Sequence, residues 1–225
     1  MNKLMFLPVL FLLSTFSCSN KIKYHTDNQY ISSKFNDLPN STILGSGIYG
    51  GDLRSIKGAH FMFFDSNCAV VGINNCPYYL IAKPDFKPSD LPSRFEDIYQ
   101  KLKRISLTPP EGYGNNFTSV YKPIPLWLSK CTNLYFLQLE SLEISDLKLL
   151  QDLPLKYLIL VNNSLINKKT MIESISMLPQ LQYLVYRNDF TPQDTIIIKH
   201  KNPKITILQD FEYYQKIEAG SIVLP

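Results

Sequence analysis

The residue types that most often do chemistry are sparse in this sequence and lie far apart. The three histidines are His25, His60 and His200, and no two of them share a segment. The sequence has neither the HExxH pattern of zinc proteases nor the GxSxG turn that exposes a nucleophilic serine. The glycines at 45, 47, 50 and 51 lack the Lys-Ser/Thr that a phosphate-binding loop needs. We therefore expect no catalytic residues, no metal site, no cofactor and no enzymatic activity.

The first eighteen residues, MNKLMFLPVLFLLSTFSC, differ in composition from the rest of the chain. Lys3 is followed by an apolar run from Leu4 to Leu13 and then by small residues, which is the pattern of a secretory signal. The run is shorter than the roughly 20 residues of a membrane-spanning helix. The sequence therefore predicts export and removal of residues 1–17.

The segment Thr15-Phe16-Ser17-Cys18 resembles the lipobox of bacterial lipoproteins, in the loose form found in the Bacteroides and Flavobacterium group. Thr15 and Phe16 depart from the usual leucine and small residue of that motif. The resemblance implies that Cys18 becomes the first mature residue and carries acyl chains such as palmitate, and two chains anchor a protein stably. Ser19 resembles the sorting signal for the outer membrane. We expect a lipid-anchored protein of the bacterial cell envelope, in the outer membrane.

Two of the other cysteines, Cys68 and Cys76, are eight residues apart in a segment that resembles strand, turn and strand. An oxidising compartment permits a disulfide between them, and a pair of buried thiols is the alternative. A zinc site is disfavoured because no CxxC pair exists and no histidine is near. Cys131 is expected to be buried.

Composition and charge set limits on the class of protein. Apolar residues make up 45% of the 225 residues and charged residues 19%, which is the balance of a globular protein. The net charge of +4 is spread along the chain, whereas nucleic-acid-binding proteins concentrate Lys and Arg on one surface. We expect no nucleic-acid partner.

Changes in composition divide the chain into five segments. Three short apolar runs, His60–Phe64, Cys68–Ile73 and Tyr78–Ala82, are separated by turn residues and predict a small β-meander. The predicted segments are a signal peptide (1–17), a flexible tether (18–42), a small β-rich module or N-terminal cap (43–89), a repeat region (90–210) and a C-terminal tail or cap (211–225).

The repeat region contains five copies of the pattern LxxLxL. The copies begin at Leu102, Leu134, Leu155, Leu181 and, in degenerate form, Asn202, and the first step is longer than the other three. Helical segments are predicted before and between them, over 93–100, 145–153 and 168–178, with a further helix starting at Pro192 after the N-cap Thr191. One strand and one helix cannot bury their own apolar faces, but stacked copies can.

This pattern resembles the leucine-rich-repeat family, as does the phrase from Ile124 to Leu134. The last three steps fall within the roughly 20–29 residues per repeat that are typical of the family, and the first step carries an insertion. The resemblance implies an α/β fold, namely a short solenoid of about four to five repeats preceded by a small β-rich N-terminal module. An unrelated α/β fold with leucine-rich strands is the alternative.

The same resemblance gives a role to one asparagine. Asn163, in the xxNxL ending of one copy, would bond the backbone of neighbouring turns. The other copies lack this asparagine, since Asn188 is one place off.

In this register the leucines at positions 1, 4 and 6 point into the core, and positions 3, 5 and 7 point out of the concave sheet. Position 3 of the fifth copy is Lys204, position 5 is Thr206 and position 7 is Leu208. The predicted partner-binding residues are Phe136, Gln138, Glu140, Tyr157, Ile159, Tyr183, Val185 and Arg187. Exposed aromatic patches mark interaction surfaces, but the apolar residues of the tail, among them Tyr213 and Ile217, are an alternative cover for this face.

We therefore expect an envelope lipoprotein that binds a protein or a glycan through the concave face. The alternative is a structural scaffold subunit of an envelope complex, in which the N-terminal β-rich module makes the contact.

Overall fold

The structure is a computed structural model that describes residues 59–64, 68–73, 76–83, 86–91, 93–95, 97–108 and 122–222. The predicted signal, Cys18, the tether and the first part of the β-rich module lie outside these residues. Within them the fold is mixed α/β, with a mostly parallel sheet and few helices. No helix in this part of the chain is long and apolar enough to cross a membrane.

The predicted β-meander is confirmed. Strands β1 (Ala59–Phe64), β2 (Cys68–Ile73) and β3 (Cys76–Ala82) are antiparallel neighbours. The consecutive residues Val70 and Val71 of β2 are both buried, so this strand is covered on both faces, as its unbroken apolar run suggests.

The predicted disulfide between Cys68 and Cys76 is wrong. In the antiparallel pairing of β2 with β3, Cys68 lies opposite Ala82 and Cys76 lies opposite Ile73. The two cysteines are therefore at opposite ends of the hairpin, whereas a disulfide requires Cα atoms within about 7 Å. Cys68 is a buried thiol, as is Cys131, whose predicted burial is confirmed.

The repeats form the parallel part of an eight-stranded sheet in the order β1-β2-β3-β4-β6-β8-β10-β11. Its parallel strands are β4 (Arg104–Leu107), β6 (Phe136–Glu140), β8 (Tyr157–Val161), β10 (Tyr183–Arg187) and β11 (Thr206–Gln209). β3 pairs in parallel with β4, so the predicted N-terminal module and the repeat region share one sheet. A second, three-stranded sheet consists of β5 (Lys122–Pro123), β7 (Leu142–Ile144) and β9 (Ser164–Leu165).

The first four copies of LxxLxL have the predicted register. Leu137, Leu158 and Leu184, all at position 4, lie side by side on adjacent strands. Each is completely buried in one continuous core that also contains Leu134, Leu155 and Leu181 from position 1. The leucine spacing therefore places the core on one face of the sheet.

The predicted register of the fifth copy is wrong by two residues. Leu184 pairs with Ile207 rather than with Ile205, and Val185 pairs with Leu208. Side chains alternate with a period of two along a strand, so a slip of two residues keeps each of them on its predicted face. The slip brings Asp210, which follows the strand, to Arg187, and the two form an ion pair.

The predicted role of Asn163 is confirmed. Its Nδ2 donates to the carbonyl of Leu139 (2.9 Å), and its Oδ1 accepts the backbone N–H of Leu142 (3.0 Å). In the next repeat the equivalent position is filled by Asp189, whose Oδ1 accepts the N–H of Asn163 (2.9 Å). Asn188, at a φ of 62°, makes the left-handed turn that precedes this position.

Two of the predicted connecting helices are confirmed as α-helices. Helix α1 (Lys168–Ser176) is capped by Asn167, and α2 (Pro192–Lys201) begins with the predicted Thr191 cap, reinforced by Asp194. A third helix, α3 (Asp210–Glu218), follows β11. The remaining helical turns are short 3-10 helices at Pro88–Asp90, Ser93–Phe95, Ile98–Gln100, Leu126–Lys130 and Lys148–Leu150.

The predicted helices over 93–100 and 145–153 are therefore wrong in type and length. The second lies in the short step between the paired residues Phe136 and Tyr157, whereas α1 lies in the longer step from Tyr157 to Tyr183. A 3-10 helix rises about 2.0 Å per residue and an α-helix about 1.5 Å, so fewer residues span the same distance.

Candidate partner-binding surface

The structure brings the predicted concave-face residues together in columns. Along position 3, the rings of Tyr157 and Tyr183 are stacked with centroids 4.9 Å apart and an interplanar angle of 2°, and the centroids of Phe136 and Tyr157 are 6.1 Å apart. The guanidinium of Arg104 lies 4.1 Å from the centroid of Phe136 and 4.8 Å from that of Tyr79 on β3. The aromatic column therefore extends across the sheet into the N-terminal strands.

Of the two alternatives, an exposed column or one covered by the C-terminal tail, the structure shows the covered column. Among the eight predicted binding residues, Phe136, Gln138, Tyr157, Ile159 and Val185 are buried, and Glu140, Tyr183 and Arg187 are half-buried. The residues of the concave face form a second apolar cluster with Tyr213, Tyr214, Ile217 and Ile222, from α3 and the residues after it. A partner cannot reach most of this face unless the C-terminal segment leaves it, so the tail is the cover.

Polar side chains on the same face hold the cover and the strands in place. Arg187 and Asp210 form an ion pair at the start of α3, and the hydrogen bond and charge of Asp210 raise the pKa of Arg187 although burial lowers it. Towards the other side of the sheet, the hydroxyl of Thr108 donates to Glu140 (2.7 Å). These contacts are internal, and they leave the concave face with a structural role.

An open groove lies away from the concave face, beside the 3-10 helix Leu126–Lys130. It has a volume of ≈ 550 Å³. Its lining is Phe86, Lys87, Lys122, Pro123, Ile124, Pro125, Leu126 and Trp127. Leu126 is 80% exposed, which is the largest exposure among the exposed large apolar side chains of the described residues. The groove is apolar along its length and carries the exposed ammonium groups of Lys87 and Lys122.

Aromatic packing fixes the floor of this groove. The ring of Trp127 packs edge-on against Phe86 (centroids 5.8 Å apart) and at a tilt against Tyr99 (5.9 Å). Its Nε1 is buried and has no hydrogen-bond partner among the described residues. Below it, burial raises the pKa of the Cys131 thiol to about 12, so this cysteine stays protonated and unreactive. The described lining of the groove can therefore bind an apolar group, and the buried Cys131 thiol is not a reactive group there.

In the part of the chain that the structure describes, no group of three or more His, Cys, Asp or Glu side chains could hold a metal ion.

Comparison with known proteins shows little similarity. No family model matches the sequence, and no curated protein matches it. A solved structure of a leucine-rich-repeat protein from Leptospira interrogans is similar at a TM-score of 0.31 and 21% identity. The similarity covers 48% of this chain and 31% of the Leptospira protein, so this chain spans about a third of the length of that protein.

Proposed function

We propose that the chain is a leucine-rich-repeat solenoid that acts as a non-enzymatic binding protein on the bacterial cell envelope. The proposal is supported by parallel strands that carry LxxLxL in register, by the Asn163 hydrogen bonds between turns, and by connections that vary between 3-10 and α-helix. Stacked repeats of this kind present long surfaces to partners.

We further propose that the partner binds in the groove lined by Leu126 and Trp127. The observation that carries this proposal is the exposure of Leu126 beside a floor of packed aromatic rings, while the concave face is covered. Lys87 and Lys122 flank the apolar groove, which fits a protein segment that combines an apolar side chain with carboxylates. A stack of exposed aromatic rings, the feature that would suit a glycan, is absent from the described lining of this groove because Trp127 is packed on both sides.

A single substitution in the groove should separate binding from folding. Leu126→Glu is expected to lower the affinity for the partner by about tenfold or more, since truncations at the centre of an interface often cost about 2 kcal/mol. Stability should change by no more than about 0.5 kcal/mol because the side chain is exposed. The measurement is recovery of partners from envelope extract, followed by titration that uses the fluorescence of Trp127, the only tryptophan in the chain.

The matched control is Met177→Glu, which places the same charge at an exposed methionine just after α1. It should bind as the wild type does. Equal binding by the Leu126→Glu and Met177→Glu variants, with both folded, would exclude the groove as the site.

The lipid anchor is proposed from the sequence motif alone and has its own test. Cells grown with a palmitate analogue should label the wild-type protein, and Cys18→Ser should remove the label because no acceptor thiol remains at the motif. Cys131→Ser is the control and should keep the label, since that thiol is buried. A label that persists in Cys18→Ser would refute lipidation.

A further inference from the structure

The C-terminal end of the large sheet differs from the protected end that repeat proteins normally have. β11 is the last strand of the sheet among the described residues. Terminal repeats usually present a polar outer face, and exposed strand edges are usually shielded. Here Ile196 on α2 is 60% exposed and Phe211, shortly after β11, is 65% exposed. Among the described residues, this end of the stack therefore presents exposed apolar side chains.

A groove of ≈ 640 Å³ runs between α2 and β11 at this end. Ile196 and Ile207 contribute apolar surface to it, and Lys199 and Glu212 contribute opposite charges. Lys199 Nζ donates to the carbonyl of Ile205 (2.7 Å), just before the strand begins. Glu212 accepts the backbone N–H of Gln209 (3.3 Å), at the end of the strand. The positive group thus lies at the start of β11 and the negative group at its end.

The backbone of β11 also has hydrogen-bonding groups that point away from the sheet. Thr206 donates its N–H to Gln182 on the side of β10 (2.7 Å). Because backbone groups of successive residues in a strand point to opposite edges, Ile207 turns its N–H and C=O outward. A second strand that runs antiparallel to β11 could therefore accept a hydrogen bond from the N–H of Ile207 and donate one to its C=O.

From these observations we infer that the C-terminal end binds a second copy of this chain about a two-fold axis near Ile207. Antiparallel pairing of two β11 strands places the start of one strand beside the end of the other. Lys199 of each protomer then lies next to Glu212 of its partner, twice by symmetry, and the exposed isoleucines of the two α2 helices are brought together. Isologous contacts of this kind are self-complementary and close after two protomers. Because Lys199 and Glu212 carry opposite charges, the surface is complementary to a second copy of itself.

The inference is tested with the purified full-length chain by sedimentation equilibrium, with no other protein present. The wild type should be a dimer, and Ile196→Lys should raise the dimer dissociation constant by about tenfold or more, an effect of about 1.4 kcal/mol. Met177→Lys, at an exposed position just after α1, should dimerise as the wild type does. A wild type that is monomeric at all concentrations up to about 100 µM, or an Ile196→Lys variant that dimerises normally, would overturn the inference.

A charge exchange distinguishes a direct contact from an indirect effect on folding. Lys199→Glu places two negative groups together at each end of the interface and should dissociate the dimer, as should Glu212→Lys. The double variant restores opposite charges across the axis and should recover dimerisation to within about threefold of the wild type. Failure of the double variant to recover, with its fold intact by circular dichroism, would also overturn the inference. The groove at Leu126 is tested by partner binding, so the two proposals can fail separately.

Discussion

Leu158→Asp is expected to destroy the cooperative fold of this protein. Leu158, at position 4 of its LxxLxL copy, is completely buried in β8 between Leu137 and Leu184 of the adjacent strands. Loss of the leucine side chain alone costs about 2–5 kcal/mol, and a buried carboxylate without a partner costs several more. A domain of this kind is stable by only about 5–15 kcal/mol. The variant should therefore melt at least about 15 °C below the wild type or show no thermal transition.

Lys156→Asp is the matched control, two residues away on the same chain segment. Lys156 is exposed, and the same aspartate there is expected to change stability by no more than about 0.5 kcal/mol. Both variants are measured by thermal unfolding followed by circular dichroism. If the two variants melt at the same temperature, the assignment of Leu158 to the core is wrong and the register of the repeat must be revised.

The positions of the repeat strands could be predicted from the sequence because the leucine spacing reports directly on burial. Each LxxLxL copy must turn its leucines to one side, and alternation then assigns the other side chains to the opposite face. The cap at Thr191 and the hydrogen bonds of Asn163 are similarly local, since each side chain bonds backbone groups a fixed number of residues away or on the adjacent turn. Local signals of this kind survive in the sequence.

The proposed binding surface could not be predicted in the same way. Alternation places Phe136, Tyr157 and Tyr183 on one face but does not show whether another segment covers that face. Whether Tyr213 and Ile217 fold back over the sheet depends on tertiary packing, which has no sequence period. The groove at Leu126 has the same difficulty, because its aromatic floor joins residues that are distant in the sequence and meet only in the folded chain.

In the fourth repeat, the position equivalent to Asn163 is occupied by an aspartate, and this difference in residue type affects stability. Asn162 and Asn188 both have a positive φ, so the residue that follows Asn188, Asp189, is the counterpart of Asn163. Oδ1 of Asp189 accepts from both the N–H (2.9 Å) and the Nδ2 (3.0 Å) of Asn163. Its Oδ2 is buried and has no hydrogen-bond partner among the described residues. By equivalence with Asn163, this oxygen stands where an amide NH₂ would donate to a carbonyl of the preceding repeat.

The burial of its carboxyl makes Asp189 a source of pH-dependent instability. Burial raises the pKa of this carboxyl from 3.8 to about 6, although the hydrogen bonds from Asn163 and the neighbouring backbone lower it. Because the folded-state pKa lies above the unfolded one, the native state binds more protons between about pH 4 and pH 6, and stability falls as the pH rises through that window. Above about pH 6 the ionised group costs roughly 3 kcal/mol, taking about 1.36 kcal/mol for each unit of pKa.

Asp189→Asn should therefore stabilise the protein. The amide keeps the acceptor oxygen for Asn163 and replaces the unpaired Oδ2 with a donor, so the variant should be more stable by about 1–3 kcal/mol at pH 7.5. The advantage should shrink towards zero as the pH is lowered to 4, because wild-type Asp189 is then protonated. The measurement is urea unfolding of both proteins at several pH values, with Asp152→Asn as a control that removes the same charge at an exposed position. Two outcomes would show that Asp189 is not a buried, ionised carboxylate at the position equivalent to Asn163. One is an Asp189→Asn variant that is no more stable than the wild type at pH 7.5. The other is a stability advantage that is the same at pH 4 as at pH 7.5.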